Sequence, residues 1–144
     1  MKLQFNLQHN LKKEETIASL KLVLFKAMLK MHELAVGYCP VDTGRLKGTI
    51  KIFPMVPGFN KYILHDGVDY GIHMEYGTSP HYVSASNLKG WASRVLGDAN
   101  LAYAVGSKIA MKGVEAHPFM RPALKQVKDV YLKQLLNEQL DNNT

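Results

Sequence analysis

A single cysteine, Cys39, is present in 144 residues, so no internal disulfide can staple the fold. That excludes the small disulfide-framed scaffolds of secreted proteins. Long apolar runs are also missing. The longest, LKLVLFKAML from Leu20 to Leu29, is broken by Lys21 and Lys26 and is too short to span a bilayer. No apolar stretch with a cleavage site opens the chain, so no signal peptide is expected, and a cytoplasmic origin follows. Neither Gly-x-x-x-x-Gly-Lys nor Gly-x-Gly-x-x-Gly occurs, which removes the familiar phosphate loops. Low-complexity tracts and linker-like breaks are absent as well. At 47% hydrophobic and 21% charged residues, the chain reads as one domain, 1–144, able to bury its own core. Only the end, NEQLDNNT (137–144), has the composition of a fraying tail.

Acids are the minority charge, 12 against 18 basic side chains, for a formal charge of +6. Such an excess permits contact with nucleic acid without establishing it. The lysines are scattered (Lys12 and Lys13; Lys21, Lys26 and Lys30; Lys47 and Lys51; Lys125 and Lys128), as on the solvated faces of helices rather than in a DNA-binding stripe.

Leu3, Phe5 and Leu7 alternate with polar residues, which predicts a short strand or extended arm over 1–10. From Lys13 to Val36 the spacing predicts a long helix, with Ile17, Leu20, Leu24, Met28, Met31 and Ala35 as its stripe. Leu22, Val23, Phe25 and Leu29 lie off that stripe, so the helix is either central or partly covered by another subunit. Gly37 is the expected C-cap, and Pro40 prevents resumption. Leu46–Val56 predicts a strand ended by the turn PGFN. KYILH predicts a second strand, DG a hairpin turn and VDYGI a third strand. HMEYGTSPH then leaves the sheet as a loop, with room for one helical turn. Two short amphipathic helices follow. The first carries Leu88, Trp91, Ala92, Val95 and Leu96 and stops at Gly97; the second starts at Asp98, carries Leu101, Val105 and Ile109, and ends before Gly113. Pro122 fits the first turn of a last helix buried through Leu124, Val127, Tyr131 and Leu135. The expected fold is α+β: a small antiparallel sheet packed by one long N-terminal helix and several shorter ones.

Asp42-Thr43-Gly44 matches the catalytic tripeptide of a homodimeric, retropepsin-like aspartic protease, where two carboxylates share one proton. However, Gly37 and Pro40 spoil the strand that should lead into it, and Arg45 would hold Asp42 ionised. The plainer reading is a turn in which Asp42 or Thr43 accepts local N–H groups and Gly44 supplies an unusual backbone angle. His73 and Glu75, two apart, could share a strand face and ligate a metal, but no spaced Cys/His pair supports them, and no metal or cofactor is expected. Cys39 reads as a small buried or half-buried thiol rather than a nucleophile, and Trp91 as core rather than a base-stacking platform. No enzyme emerges from this inventory.

Three separated segments, CPVDTGRLKGTI, DYGIHMEYGT and AHPFMRPAL, carry a more specific signal in this order. Together they resemble the neck and tail-completion proteins of long-tailed bacteriophages, minor tail components at the head–tail junction. The matching positions are Pro40, Asp42, Thr43, Gly44, Arg45 and Leu46; then Tyr70, Glu75, Tyr76, Gly77 and Thr78; then Pro118, Phe119, Arg121, Pro122 and Ala123. Cys39 and Gly71 depart from the small residues, alanine in particular, found at those places. The resemblance implies a structural virion protein that assembles as a ring, a hexamer in the family. Its neighbours would be head-closure or connector proteins on one side and tail-tube or tail-terminator proteins on the other. Genome DNA would cross the channel without sequence recognition, and no membrane is involved. Arg45, Glu75 and Arg121 would then fix loops or bridge subunits; links within one chain are the alternative.

Overall fold

A computed structural model describes residues 2–54 and 62–141. The described residues are mostly helical, around a two-stranded antiparallel sheet, an α+β fold. The order is α1 (Lys2–Tyr38), α2 (Arg45–Thr49), β1 (Lys51–Pro54), β2 (Tyr62–His65), α3 (Gly71–Tyr76), α4 (Ala85–Leu96), α5 (Ala102–Lys112), α6 (Met120–Gln126) and α7 (Leu132–Asp141). A 3-10 turn, Ala99–Leu101, leads into α5, and a π turn, Val127–Tyr131, joins α6 to α7. No helix among the described residues is long and apolar enough to cross a membrane.

Helix α1 absorbs the strand expected at the N-terminus. No glycine or proline precedes Gly37, so once the helix is nucleated each further residue extends it at little cost. The helix ends at Tyr38, and Gly37 does not take a left-handed angle; the restriction that Pro40 places on the residue before it accounts for the stop. The core side of α1 also differs from the expected stripe. Val23, Ala27 and Ala35 are buried, joined by Met31 and Leu34, whereas Ile17 and Leu20 are exposed. Ala27 is small enough to let the last helix approach, and Val127 and Leu135 pack there.

The last helix buries Ala123, Val127 and Leu135, with Tyr131 half-buried between them; Leu124 points outward. A strict four-residue spacing drifts by roughly 40° per step on a regular α-helix. The wider π turn at Val127–Tyr131, closed by the Leu132 N–H on Val127 O, absorbs that drift and keeps one face on α1. Helix α7 runs on to Asp141, past position 137 where fraying was expected; 142–144 lie outside the described residues.

The sheet is a hairpin rather than a three-stranded meander. Ile52 pairs with Leu64 and Phe53 with Ile63, while Val56 and the PGFN turn lie outside the described residues. The start of the expected first strand is α2, because Gly44 O accepts the Gly48 N–H at 2.9 Å and Thr49 Oγ1 donates back to Leu46 O at 2.9 Å, closing a helical turn. The expected third strand, VDYGI, is instead a bend and turn at 68–70 that run into α3 at Gly71; positions 73–76 of α3 fall where one helical turn had room. A five- or six-residue segment is too short for its periodicity to separate helix from strand. Ile50 and Leu46, from the corner after α1, meet Ala35, Cys39, Phe119 and Ala123 in the main core.

Candidate functional site

The second and third motif segments form one hydrogen-bonded knot. Glu75, only 5% exposed, points from α3 at the start of α6. Its Oε2 accepts the N–H groups of Phe119 (2.7 Å) and Met120 (2.9 Å), and its Oε1 accepts that of Arg121 (2.9 Å). These are N–H groups of a helix start, which have no partner within the helix. The Arg121 side chain completes the set, with Nε on Glu75 Oε1 at 3.0 Å and Nη2 on Glu75 O at 2.7 Å. Its guanidinium lies 4.5 Å from the centre of the Tyr76 ring. Burial by itself pushes the Glu75 carboxyl up, but the backbone donors and Arg121 together bring it below its ordinary value. Phe119, fully buried, anchors the knot to the core, and Pro122 occupies the first turn of α6, where its missing N–H does no harm.

Next to Glu75 the chain is zipped further. Met74 O accepts the His117 N–H at 2.7 Å. Thr78 N–H donates to Val114 O at 2.9 Å, and Thr78 Oγ1 accepts the Val114 N–H at 3.0 Å. Gly77 and Gly113, on either side of this bridge, both take positive φ (73° and 76°) with extended ψ.

The first motif segment makes the wall of a groove. Gly44 has φ 80°, the unusual angle expected of it, but Asp42 does not cap its own turn. Its two carboxylate oxygens take Arg94 of α4 in a two-pronged ion pair, Nε to Oδ1 at 2.9 Å and Nη2 to Oδ2 at 2.7 Å. Hydrogen bonding from Arg94 holds the Asp42 carboxyl below its ordinary value of 3.8. That is the opposite of a proton-sharing dyad, and the guanidinium responsible is Arg94, not Arg45. We expect a carbon-13 NMR titration to place the Asp42 midpoint below 3.8 in the native protein and to return it to the ordinary range in Arg94→Ala. An unchanged midpoint would mean that the pair does not persist in solution.

Between this corner and α4 lies a cavity of about 370 Å³, with Leu46, Met74, Trp91 and Val95 supplying apolar lining. Pro40, Thr43, Gly44, Arg45, Tyr70 and His117 also border it, so all three motif segments reach it. Trp91 is thus a half-buried groove residue rather than core. Arg45 is exposed and makes no ion pair among the described residues.

The other chemical candidates dissolve into packing. Cys39 is buried, and its burial raises the thiol, which keeps it protonated. Among the described residues no cluster of three or more His, Cys, Asp or Glu could hold a metal. Glu75 is committed to backbone N–H groups rather than to His73. At Gly71, the Asp66 carboxylate occupies the space a β-carbon would need, 1.6 Å from its ideal position. Sequence reasoning missed Arg94 and Val114 altogether, because each partner lies far along the chain and neither has a local signature. Comparison with protein-family models, with curated proteins and with solved structures gives no match.

Proposed function

We propose that the protein is a structural subunit of a bacteriophage neck or tail end, assembling into a ring that completes the tail and joins it to the head around the DNA channel. The observation that carries this reading is the convergence of the three motif segments. Separated by up to about half the chain, they meet at one groove, and two of them are locked together through Glu75. This arrangement builds a shaped corner and commits Asp42, Glu75 and Arg121 to structural bonds, which suits an assembly part better than a reaction centre. A second support is the apolar surface left open: Leu22, Phe25 and Leu29 of α1 and Phe53 and Ile63 of the hairpin are all more than two-fifths exposed. Contiguous apolar surface of this kind marks interaction sites. The edges of the two-stranded sheet, unpaired by further strands among the described residues, add backbone groups that a neighbour can pair.

Native mass spectrometry of the purified protein is the direct test. A closed oligomer is expected, with six copies the number implied by the family resemblance. Particles produced without this protein are expected to accumulate filled heads and unattached tails under the electron microscope. A chain that stays monomeric at high concentration, and is absent from particles, would overturn the reading.

A further inference from the structure

A second cavity, of about 390 Å³, lies between α4 and α5 and outside every motif segment. Helix α5 turns Tyr103, Gly106, Ser107 and Ala110 toward it, at i, i+3, i+4 and i+7 along one face. Gly106 has no side chain to fill the floor, and a β-carbon there would sit 3.3 Å from Val83 O. The segment leading into α4 therefore lies directly on α5, held also by the His81 N–H on Ile109 O at 3.4 Å. That contact brings Tyr82 to the same cavity as Tyr103, although the two are far apart in sequence.

The lining combines aromatic rings with hydrogen-bond donors and contains no acid. Tyr82 is 86% exposed and Tyr103 68%, more than any other tyrosine, phenylalanine or tryptophan among the described residues. Neither makes a hydrogen bond or a ring contact there. The Lys89 ammonium, exposed on α4, and the Ser107 hydroxyl are likewise uncommitted among the described residues. Ser84 Oγ and Ser86 Oγ share one hydrogen bond of 2.7 Å, which leaves one of their two hydrogens free to donate. Charge around the cavity is one-sided. Over 79–113 the only acid is Asp98, which accepts the Asn100 N–H, against Lys89, Arg94, Lys108 and Lys112. Asp42 takes Arg94, and the three lysines have no ion pair among the described residues.

An anion carried beside a flat ring fits these features together. A phosphate needs only donors, which Lys89 and the serine hydroxyls supply, and no carboxylate in the lining repels it. Exposed tyrosine rings offer stacking worth about 1–3 kcal/mol per base, whatever the base. A glycan would instead call for carboxylate or amide side chains to accept from its hydroxyl groups, and the lining has neither. Bases in a duplex are already stacked in pairs and do not reach such rings. We propose that this cavity binds unpaired nucleic acid without sequence preference, a phosphate on Lys89 and the serines and bases stacked on Tyr82 and Tyr103. The site lies outside the motif corner and does not depend on the assembly reading.

Fluorescence anisotropy of a labelled oligothymidylate with the full chain tests it, alongside a duplex of the same length. The single strand is expected to bind more tightly than the duplex, and less tightly as salt rises. Tyr82→Ala and Tyr103→Ala are each expected to raise the dissociation constant by about tenfold. Tyr82→Phe and Tyr103→Phe keep the ring and should stay within about twofold of the native protein. Lys89→Gln should reduce the steepness of log affinity against log salt by about 0.7, the share of one phosphate contact on a single strand. Lys133→Gln, exposed on α7 and not part of the lining, should leave that steepness unchanged. All four positions are exposed, so circular dichroism is expected to match that of the native protein. Absent binding, a duplex bound as tightly as the single strand, or alanine variants that bind like the native chain would overturn the proposal. So would equal changes in salt dependence from Lys89→Gln and Lys133→Gln, which would assign the binding to overall charge.

Discussion

Replacing Glu75 with alanine is expected to destabilise the protein by about 3–5 kcal/mol. Three N–H groups, on Phe119, Met120 and Arg121, lose their acceptor at once. Phe119 is fully buried, so its N–H has little access to replacement water. A buried donor left without a partner costs about 1–3 kcal/mol, and the three share one cause. Arg121 is about half exposed, so its freed guanidinium is rehydrated and adds less than a fully buried orphan would. Out of a total stability of roughly 5–15 kcal/mol, this loss lowers the melting temperature by on the order of 10 °C. Glu75→Gln retains one carbonyl acceptor and is expected to fall between the native protein and alanine. The acid limb separates charge from shape. The folded state holds the Glu75 carboxyl below its ordinary 4.5, so the native protein gains stability that is fully present above that pH. The gain is lost as the pH falls through the folded value. Glu75→Gln should therefore narrow its stability gap to the native protein below pH 4.5. A gap that stayed constant down to pH 2 would show that the charge on Glu75 does not matter.

Much of this frame can be read from local signals, because those signals act locally. Asp98 accepts the Asn100 N–H at the start of its helix, and Gly97 and Gly113 stop theirs, all where residue type alone places them. The long helix and the KYILH strand follow from periodicity in the same way. What stays hidden is whatever depends on a partner far along the chain. Asp42 lies 52 positions from Arg94, and Glu75 lies 44 from Phe119. Nothing in the residues around Asp42 distinguishes a turn-capping carboxylate from one held by a distant guanidinium. The three motif segments mark which residues matter, but not that Glu75 caps α6 or that Asp42 braces α4. The segments misread as strand are α2 and the first two residues of α3, elements of five and six residues, where a helical turn held by Gly44 or by the knot outweighs weak local preference. Met31 and Ala35 of the expected stripe do face the core, but nearer the start of α1 the core takes Val23 and Ala27 rather than Ile17 and Leu20, because both sides are apolar. That ambiguity is a property of the molecule, since the second side, with Leu22, Phe25 and Leu29, stays exposed.

The glycines beside the knot should be even less forgiving than Glu75 is to polar substitution. Gly113→Ala is expected to cost about 3–5 kcal/mol by denaturant unfolding, from backbone strain and overlap acting together. At φ 76° and ψ −164°, Gly113 lies in a region that side chains avoid. A β-carbon there would sit 1.9 Å from Thr78 O and 2.8 Å from the Ser79 carbonyl carbon. These are backbone atoms, and Thr78 is tied to Val114 through both its N–H and its hydroxyl, so it cannot step aside without breaking the bridge. Gly77 faces the same wall from the other side, its β-carbon falling 2.6 Å from Val114 O. Gly97 is the control. Its φ is also 76°, but ψ is −3° and a β-carbon meets nothing within 4 Å, so Gly97→Ala should cost only about 1 kcal/mol. Equal unfolding midpoints for Gly113→Ala and Gly97→Ala would show that the bridge yields easily, and the corner could not then act as a rigid part. A double-mutant cycle carries the argument one step further. Because Glu75 and the Thr78–Val114 bridge hold the same two segments together, losing one already frees what the other constrains. Gly113→Ala on the Glu75→Ala background should therefore cost less than on the native one, with an interaction of about 1 kcal/mol or more.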